Sequence, residues 1–481
     1  MQNSMVVLVH QPALGGMVAR TLRGQQIYCR LAPFSASADE VLAGSPRGVI
    51  LAAGHDETVA PDELDERLLH SGVPVLALGA AASALCERMG GSVKRTLPDT
   101  ETVTLAFENV PLYESVSAGS RVLHDLRLLS LPLCLRCTAT ASGECIGFEH
   151  ESLPLHAVQY AIERNDPDAV QLLTNFATLL CGAEPTWDES AIIDEAVEKL
   201  RAQIGESRAL CAVSGGVDSA VCAKLAHMAV GDRLQCVFVD TGLFRQDEPE
   251  SVIQSYMDSL GIVVAYVDAR DAFLRALAGV QSAPDKERII ATLLRQVLRK
   301  QLENDPDVRV IVRGVNLNDT LYGGVEPMAQ APEGIAAAEP VAGLFKEEVR
   351  RLARALLLPD SIAEREPFPQ SGLATRIAGE VTPEKLELLR AADGYFMEEI
   401  RAGGHERKLW QYYAMLADNP LGEGGCAVAL RAVQAGQDGA HAARLPYDLL
   451  ERVVERVRGE LPQVRRVIYD LTPSAHYSTM E

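Results

Sequence analysis

The stretch Ser214-Gly215-Gly216-Val217-Asp218-Ser219 constrains this chain more than any other. It follows the apolar run ALCAV (209–213) and opens a helical pattern over 220–230. A strand that ends in a glycine-rich turn and passes into a helix forms an anion site. The first N–H groups of the helix lack intrahelical acceptors, the helix dipole is positive there, and glycine lets a phosphate approach the backbone. Ser214 and Ser219 add hydroxyls, and Asp218 is placed to orient the turn or to hold Mg²⁺. No Gly-Lys-Ser or Gly-Lys-Thr closes the turn, and its glycine spacing is not Gly-x-Gly-x-x-Gly, so it is neither of the two common nucleotide loops. An ordinary strand–helix turn has no need of two glycines, two serines and an aspartate together, and the pattern predicts phosphate binding.

The alternation of strand and helix recurs on both sides of this turn. Downstream, strands are predicted at 234–239, 262–267 and 308–312; upstream, at 6–9, 48–51 and 73–78. Near-continuous apolar strands separated by helices predict parallel sheets covered on both faces. Between the two halves, residues 182–186 read as a linker. Asp188 is the expected N-cap of a helix whose apolar face runs through Ile192, Ile193, Ala196, Val197, Leu200 and Ile204 and which Gly205 stops. Beyond about residue 360, helices at 383–401 and 447–460 are mixed with strand candidates at 427–433 and 466–471, with loops at 422–425 and 436–439. The expected fold class is α/β: two consecutive doubly wound domains, 1–183 and 184–360, and a small α+β domain over 361–481.

Charge narrows the partners. The 481 residues carry 45 Lys+Arg against 66 Asp+Glu, a formal net charge of −21. Such an acid excess opposes both a nucleic-acid face and an anionic membrane, whereas a small anion needs only a few local donors. No apolar run reaches the ~18 residues that span a bilayer. The opening MQNSMVVLVHQP has no basic segment and reads as a first strand, so a cytoplasmic location is expected. Ten cysteines are too sparse for a disulfide scaffold, and Cys86, Cys211, Cys222 and Cys236 lie in apolar runs, as reduced core thiols do. Cys134, Cys137, His150 and His156 have spacings that a zinc finger formally allows. Pro154 would break the helix that carries a finger's histidines, so thiols alternating along two strands, LPLCLRCTAT and ECIGFE, are the preferred reading.

The loop Ser214–Ser219 resembles the pyrophosphate loop of the N-type ATP pyrophosphatases, and the resemblance extends to the GMP synthetase family along nearly the whole chain. Val237-Phe238-Val239-Asp240-Thr241-Gly242-Leu243-Phe244-Arg245 is similar to that family's second-strand segment. Glu339-Pro340-Val341 with Leu344-Phe345-Lys346-Glu347-Glu348-Val349-Arg350 resembles its next block. Arg365-Glu366-Pro367-Phe368-Pro369 with Gly372, Leu373 and Arg376, and the late Leu445-Pro446-Tyr447-Asp448, follow in the same order. The resemblance implies a class I glutamine amidotransferase-like domain, an ATP pyrophosphatase domain and a C-terminal domain for dimerisation and substrate binding. It implies ATP and Mg²⁺ as cofactors, a nucleotide-like substrate (xanthosine monophosphate by default), ammonia as nucleophile and a homodimer. Carried over, Ser214, Gly215, Gly216, Val217, Asp218, Ser219, Ala220, Val239, Asp240 and Gly314 bind ATP. Asp218 and Lys346 are catalytic, with Asp218 also at the metal. Arg313, Asp319, Arg376 and Glu481 bind substrate.

The sequence also departs from the family. The nucleophile elbow, Gly-x-Cys-x-Gly, reads Ala77-Leu78-Gly79-Ala80-Ala81, with Gly79 where the thiol belongs. The His-Pro-Glu after the strand ending Val158-Gln159-Tyr160 reads Ala161-Ile162-Glu163, so only Glu163 is kept, and the glycine-rich oxyanion turn reads Ala53-Gly54-His55. Cys86, seven residues beyond Gly79, reads as a helix-core thiol. Glutamine hydrolysis is therefore not expected. In the substrate half, Gln-Gly-Thr-Ile-Tyr-Pro-Asp appears as Arg313-Gly314-Val315-Asn316-Leu317-Asn318-Asp319, and a His-rich loop is replaced by Gln330-Ala331-Pro332-Glu333-Gly334. Arg313, Arg365 and Arg376 remain as possible phosphate donors. These changes leave two alternatives open beside a GMP-forming ligase: adenylation of a different acceptor, with an amide- or thio-forming outcome, and a nucleotide-binding pseudoenzyme.

Overall fold

The computed structural model describes residues 4–54, 56–96, 102–122, 127–159, 166–321, 334–365, 368–418, 424–436 and 439–472. Two compact units result, Met1–Ile192 and Ile193–Glu481.

The first unit is built on a nine-stranded sheet. From edge to edge it runs Cys29–Pro33, Met5–Val9, Gly48–Ala53, Val75–Gly79, Leu155–Val158, Glu144–His150, Leu135–Ala141, Thr102–Phe107 and Gly119–Val122. The first five are parallel, and Gly48–Ala53 and Val75–Gly79 are buried at every position because helices cover both faces. The other four join antiparallel, an extension that the apolar runs alone did not announce. Of these, Thr102–Phe107 alternates buried and exposed positions over residues 103–106, as a half-exposed strand does, whereas Glu144–His150 buries Ile146, Gly147 and Phe148 together. Of the cysteines expected on strands, Cys137 lies within Leu135–Ala141 and Cys145 within Glu144–His150, whereas Cys134 falls in the turn just before the first of these strands, which begins one residue later than the apolar run suggests. Among the described residues no cluster of three or more His, Cys, Asp or Glu side chains is arranged to hold a metal ion.

The helix after the expected linker starts where the cap predicts, although the division between the units falls inside it, after Ile192. Asp188 Oδ1 accepts the Ala191 N–H at 2.9 Å, and the helix Glu189–Ile204 follows. A parallel five-stranded sheet then forms in the order Val264–Asp268, Leu234–Asp240, Arg208–Ala212, Val308–Val312, Ala336–Ala338. From Arg208–Ala212 the chain adds two strands on one side and then two on the other. This reversal opens a crevice at the carboxyl ends of the strands, where open α/β sheets bind ligands. The C-terminal sheet pairs Gln411–Asp418, Cys426–Gly436 and Gly439–Ala442 antiparallel, with Val464–Tyr469 parallel to the central strand. The helices Pro383–Ala402 and Tyr447–Glu460 accompany it. One apolar core runs from Leu210, Val237 and Phe273 of the five-stranded sheet to Phe396, Leu430 and Val453 beside the C-terminal sheet. Among the described residues no helix is long and apolar enough to cross a membrane.

Candidate active site

The strand Arg208–Ala212 ends in the glycine turn, and the helix Val217–Val230 begins immediately after it. Serine hydroxyls brace the turn. Ser219 Oγ donates to the Gly216 carbonyl at 2.9 Å and lies 3.3 Å from both the N–H and the Oγ of Ser214. Ser219 Oγ also sits 3.4 Å from the hydroxyl of Tyr256, whose ionisation burial suppresses. Ser214 stays exposed at the mouth, while Gly215, Val217, Ser219 and Ala220 are buried beneath it. The first-turn N–H groups of the helix have no intrahelical acceptor, and a helix start with such free donors attracts phosphate.

Three further segments close on this helix start. Lys346, first residue of the helix Lys346–Ala355, forms an ion pair through Nζ with Asp218 Oδ2. The other carboxylate oxygen, Asp218 Oδ1, is buried and has no hydrogen-bond partner. Gly314 packs directly on the helix start: a Cβ there would lie 2.9 Å from Ser219 N and 3.0 Å from the Asp218 carbonyl carbon. Asp319 caps its own turn by accepting the Asn316 N–H at 2.9 Å, and Asn318 Oδ1 accepts the Lys346 N–H at 3.0 Å. Burial pushes the Asp319 carboxyl above its ordinary range, and the charge of Asp218 adds to the effect. An orphaned carboxylate oxygen and a second acid strained by it are hard oxygen donors that suit Mg²⁺, which is commonly held by one or two carboxylates together with substrate phosphates.

Val239 and Asp240 end the neighbouring strand, nearly buried. Asp240 accepts the Gly242 N–H at 2.8 Å and the Tyr266 hydroxyl at 2.6 Å, so its carboxylate shapes the turn beside the loop. The expected substrate residues are distributed unequally. Asp319 is at the site. Arg313 forms an ion pair with Glu339. Arg376 is only 1% exposed, with its guanidinium over the rings of Phe368 and Tyr413 and 3.8 Å from Asp393, which holds it in the interior. Glu481 lies outside the described residues. Cys211 and Cys222, which flank the loop, are fully buried; the contact with Cys236 raises the first thiol's pKa and burial raises the second's.

Sequence reasoning missed Glu248 and Arg245. Arg365 Nη1 donates to the Gly215 carbonyl at 2.9 Å, its Nη2 pairs with Glu248, and the second oxygen of Glu248 accepts the Arg245 N–H at 2.8 Å. Glu248 is 6% exposed, and its signal would have been its burial, since a buried acid implies a partner.

In the first unit, Gly79 sits between the strand Val75–Gly79 and the helix Ala80–Arg88 with φ 59° and ψ −123°. The sharp strand-to-helix elbow is thus kept, but a Cβ on Gly79 would overlap the carbonyl oxygen of Ala53. Nearby strand ends carry His10, whose Nδ1 is 3.0 Å from buried Glu57, and Gln159, which donates to Ser83. Cys86 is fully buried, and burial pushes its thiol up to about 11. His55, Ala161 and Glu163 lie outside the described residues.

Comparison with known proteins places both units. Residues 398–481 match the GMP synthase C terminal domain family, and residues 190–384 match the NAD synthase family. A GMP synthase (glutamine-hydrolyzing) from Parafrankia sp. (strain EAN1pec) is 36% identical over 494 residues, covering 95% of this chain and 92% of its own length. One from Symbiobacterium thermophilum is 34% identical over 485 residues, covering 95% and 94%. Another, from Carboxydothermus hydrogenoformans, is 32% identical over 501 residues, covering 98% of each.

Proposed function

Because the chain belongs to the GMP synthase family, we propose that it is an ATP-dependent ligase that adenylates a carbonyl oxygen of a nucleotide-like acceptor, xanthosine monophosphate by default, and then admits ammonia. The observation that carries this reading is the phosphate loop at the sheet's reversal point, closed by the Lys346–Asp218 pair. The acceptor oxygen attacks the α-phosphorus of ATP, pyrophosphate leaves, and ammonia then displaces AMP to leave a C–N bond. The loop N–H groups and Ser214 hold the departing pyrophosphate, and Lys346 meets the charge that develops on it. Gly314 keeps the helix start close to the neighbouring strand, and Asp319 lines the same mouth. Asp218, with Asp319 beside it, would hold Mg²⁺, which supplies charge neutralisation between phosphates. Contact with Cys236 raises the Cys211 thiol pKa and burial raises that of Cys222, which disfavours thiolate formation beside the loop and favours nitrogen over sulfur as the nucleophile.

The relatives carry glutamine hydrolysis in their names. For this chain we propose a supply of free ammonia instead. Gly79 offers no thiol, the Ala53 carbonyl stands where its Cβ would go, and Cys86 is held protonated. An N-terminal domain over 1–183 is then a cap without hydrolytic chemistry, beside a ligase domain over 184–360 and a C-terminal domain over 361–481 that pairs two copies.

The test is incubation of the purified protein with ATP, Mg²⁺, xanthosine monophosphate and either ammonium or glutamine, measuring pyrophosphate, AMP and GMP. GMP with ammonium but not with glutamine is expected. Pyrophosphate release that requires another acceptor would move the substrate assignment, and no turnover with any acceptor would refute the ligase reading.

A further inference from the structure

The pyrophosphate loop is held by a side chain that lies 150 positions further along the chain. Gly215 has φ +80°, and a Cβ there would overlap Arg365 Nη1 and Val252, so the guanidinium packs directly against the glycine. Its Nη1 donates to the Gly215 carbonyl at 2.9 Å. In a trans peptide the carbonyl and the following N–H point in opposite directions. Holding the Gly215 carbonyl on Arg365 therefore turns the Gly216 N–H the other way, toward Ser214 Oγ at 3.4 Å and the loop interior. If that peptide flipped, a carbonyl oxygen would face the phosphate and repel it.

The clamp is itself fixed. The second terminal nitrogen of Arg365 is paired with Glu248, and the other oxygen of Glu248 takes the Arg245 N–H. Arg245 Nε then donates to Asp393 at 2.8 Å, and Asp393, 1% exposed, accepts the Ala414 N–H at 2.7 Å. Ala414 lies in the strand Gln411–Asp418, so a continuous set of charge-assisted bonds joins the ATP loop to the C-terminal sheet. Arg365 thus spends one N–H of each terminal nitrogen on protein partners, one on the Gly215 carbonyl and one on Glu248.

We propose that Arg365 is a positioning residue for the pyrophosphate loop, setting the Gly215 peptide so that N–H groups rather than a carbonyl meet the phosphates. The proposal rests on the assignment of this loop to ATP, and its test separates the two. ATP and adenosine affinities are measured by calorimetry, with thermal unfolding, on the full-length protein and on Arg365→Ala, Arg365→Lys and the double variant Arg365→Ala/Glu248→Gln. The double variant removes the buried carboxylate that loss of Arg365 alone would strand. ATP affinity should fall roughly tenfold or more in Arg365→Ala and in the double variant, as for a lost charge-assisted hydrogen bond, with adenosine affinity unchanged. Arg365→Lys, which keeps the charge but loses the fork, should fall between; if the alanine variants do not fold, it carries the same comparison. Wild-type ATP affinity in folded variants, or an equal loss for adenosine, overturns the clamp. A wild-type protein that binds ATP no better than adenosine overturns the loop assignment, and the clamp with it.

Discussion

One strand in each unit passes through glycine into a helix, Val75–Gly79 directly and Arg208–Ala212 through the turn 213–216, and the two part in where a carbonyl points. At Gly79 the elbow survives, yet the Ala53 carbonyl crosses the space that a nucleophile's Cβ would fill. At Gly215 the carbonyl is held by Arg365, so the following N–H turns toward Ser214. Both glycines lack room for a Cβ, but at Gly79 a backbone carbonyl takes the space and at Gly215 a guanidinium and Val252 do. Strand–turn–helix geometry is inherited from the sheet, whereas chemistry depends on which polar groups are left facing the opening.

The largest effect should come from the loop around Gly215. Asp218→Ala removes the partner of Lys346 and should lower ammonia-dependent pyrophosphate release by about a hundredfold or more; activity near wild type in a steady-state assay would end the loop assignment. Gly79→Cys attacks the other side of the comparison. It should yield no glutamate from glutamine and should destabilise the protein by about 1–3 kcal/mol, because the new Cβ must displace backbone. Glutaminase activity well above background in that variant would show that the elbow is merely missing its thiol. Gly314→Ala places a methyl against Ser219 N and should raise the KM for ATP by roughly tenfold, on the scale of one overpacking contact, with a smaller change in kcat. An unchanged KM would mean that the helix start has room to shift.

The smallest effect is a pH dependence in the core that carries the C-terminal sheet. Lys286, 1% exposed, donates to the carbonyls of Ala374 at 3.1 Å and Ile377 at 2.6 Å, and burial, aided by Lys385, pushes its pKa down to about 8. Between about 8 and the ordinary 10.5 the unfolded chain binds the extra proton, so this group's contribution to stability should rise with pH through that window. Two N–H bonds remain on the neutral amine, enough for both carbonyls. Thermal unfolding of wild type and Lys286→Met across pH 7 to 10 should show the wild type gaining relative to the variant; parallel curves would mean that the ammonium is better solvated than its burial implies.

Much of the scaffold was legible because it is local. The strands near 208, 234 and 308, the Asp188 cap and the helix at Tyr447–Glu460 all follow from apolar period and capping chemistry among near neighbours. The antiparallel extension of the first sheet was not, since short alternating runs do not say which strand they will pair with. Within the site, the loop announced itself by composition, and the family resemblance pointed to Lys346. Arg376 shows the limit: its motif marks it as a candidate phosphate donor, but only packing reveals the aromatic rings around it.

By itself, then, the sequence determined a glycine- and serine-rich turn between a strand and a helix in an α/β chain, and a glycine at position 79 where another strand meets a helix, because both are properties of consecutive residues. Tertiary structure alone decided that Lys346 reaches Asp218 across 128 positions, that Arg365 reaches Gly215 across 150, and that Ala53 closes over Gly79. Contacts so distant along the chain leave no local pattern, and they exist only once folding has met the entropy of closing the loops between them.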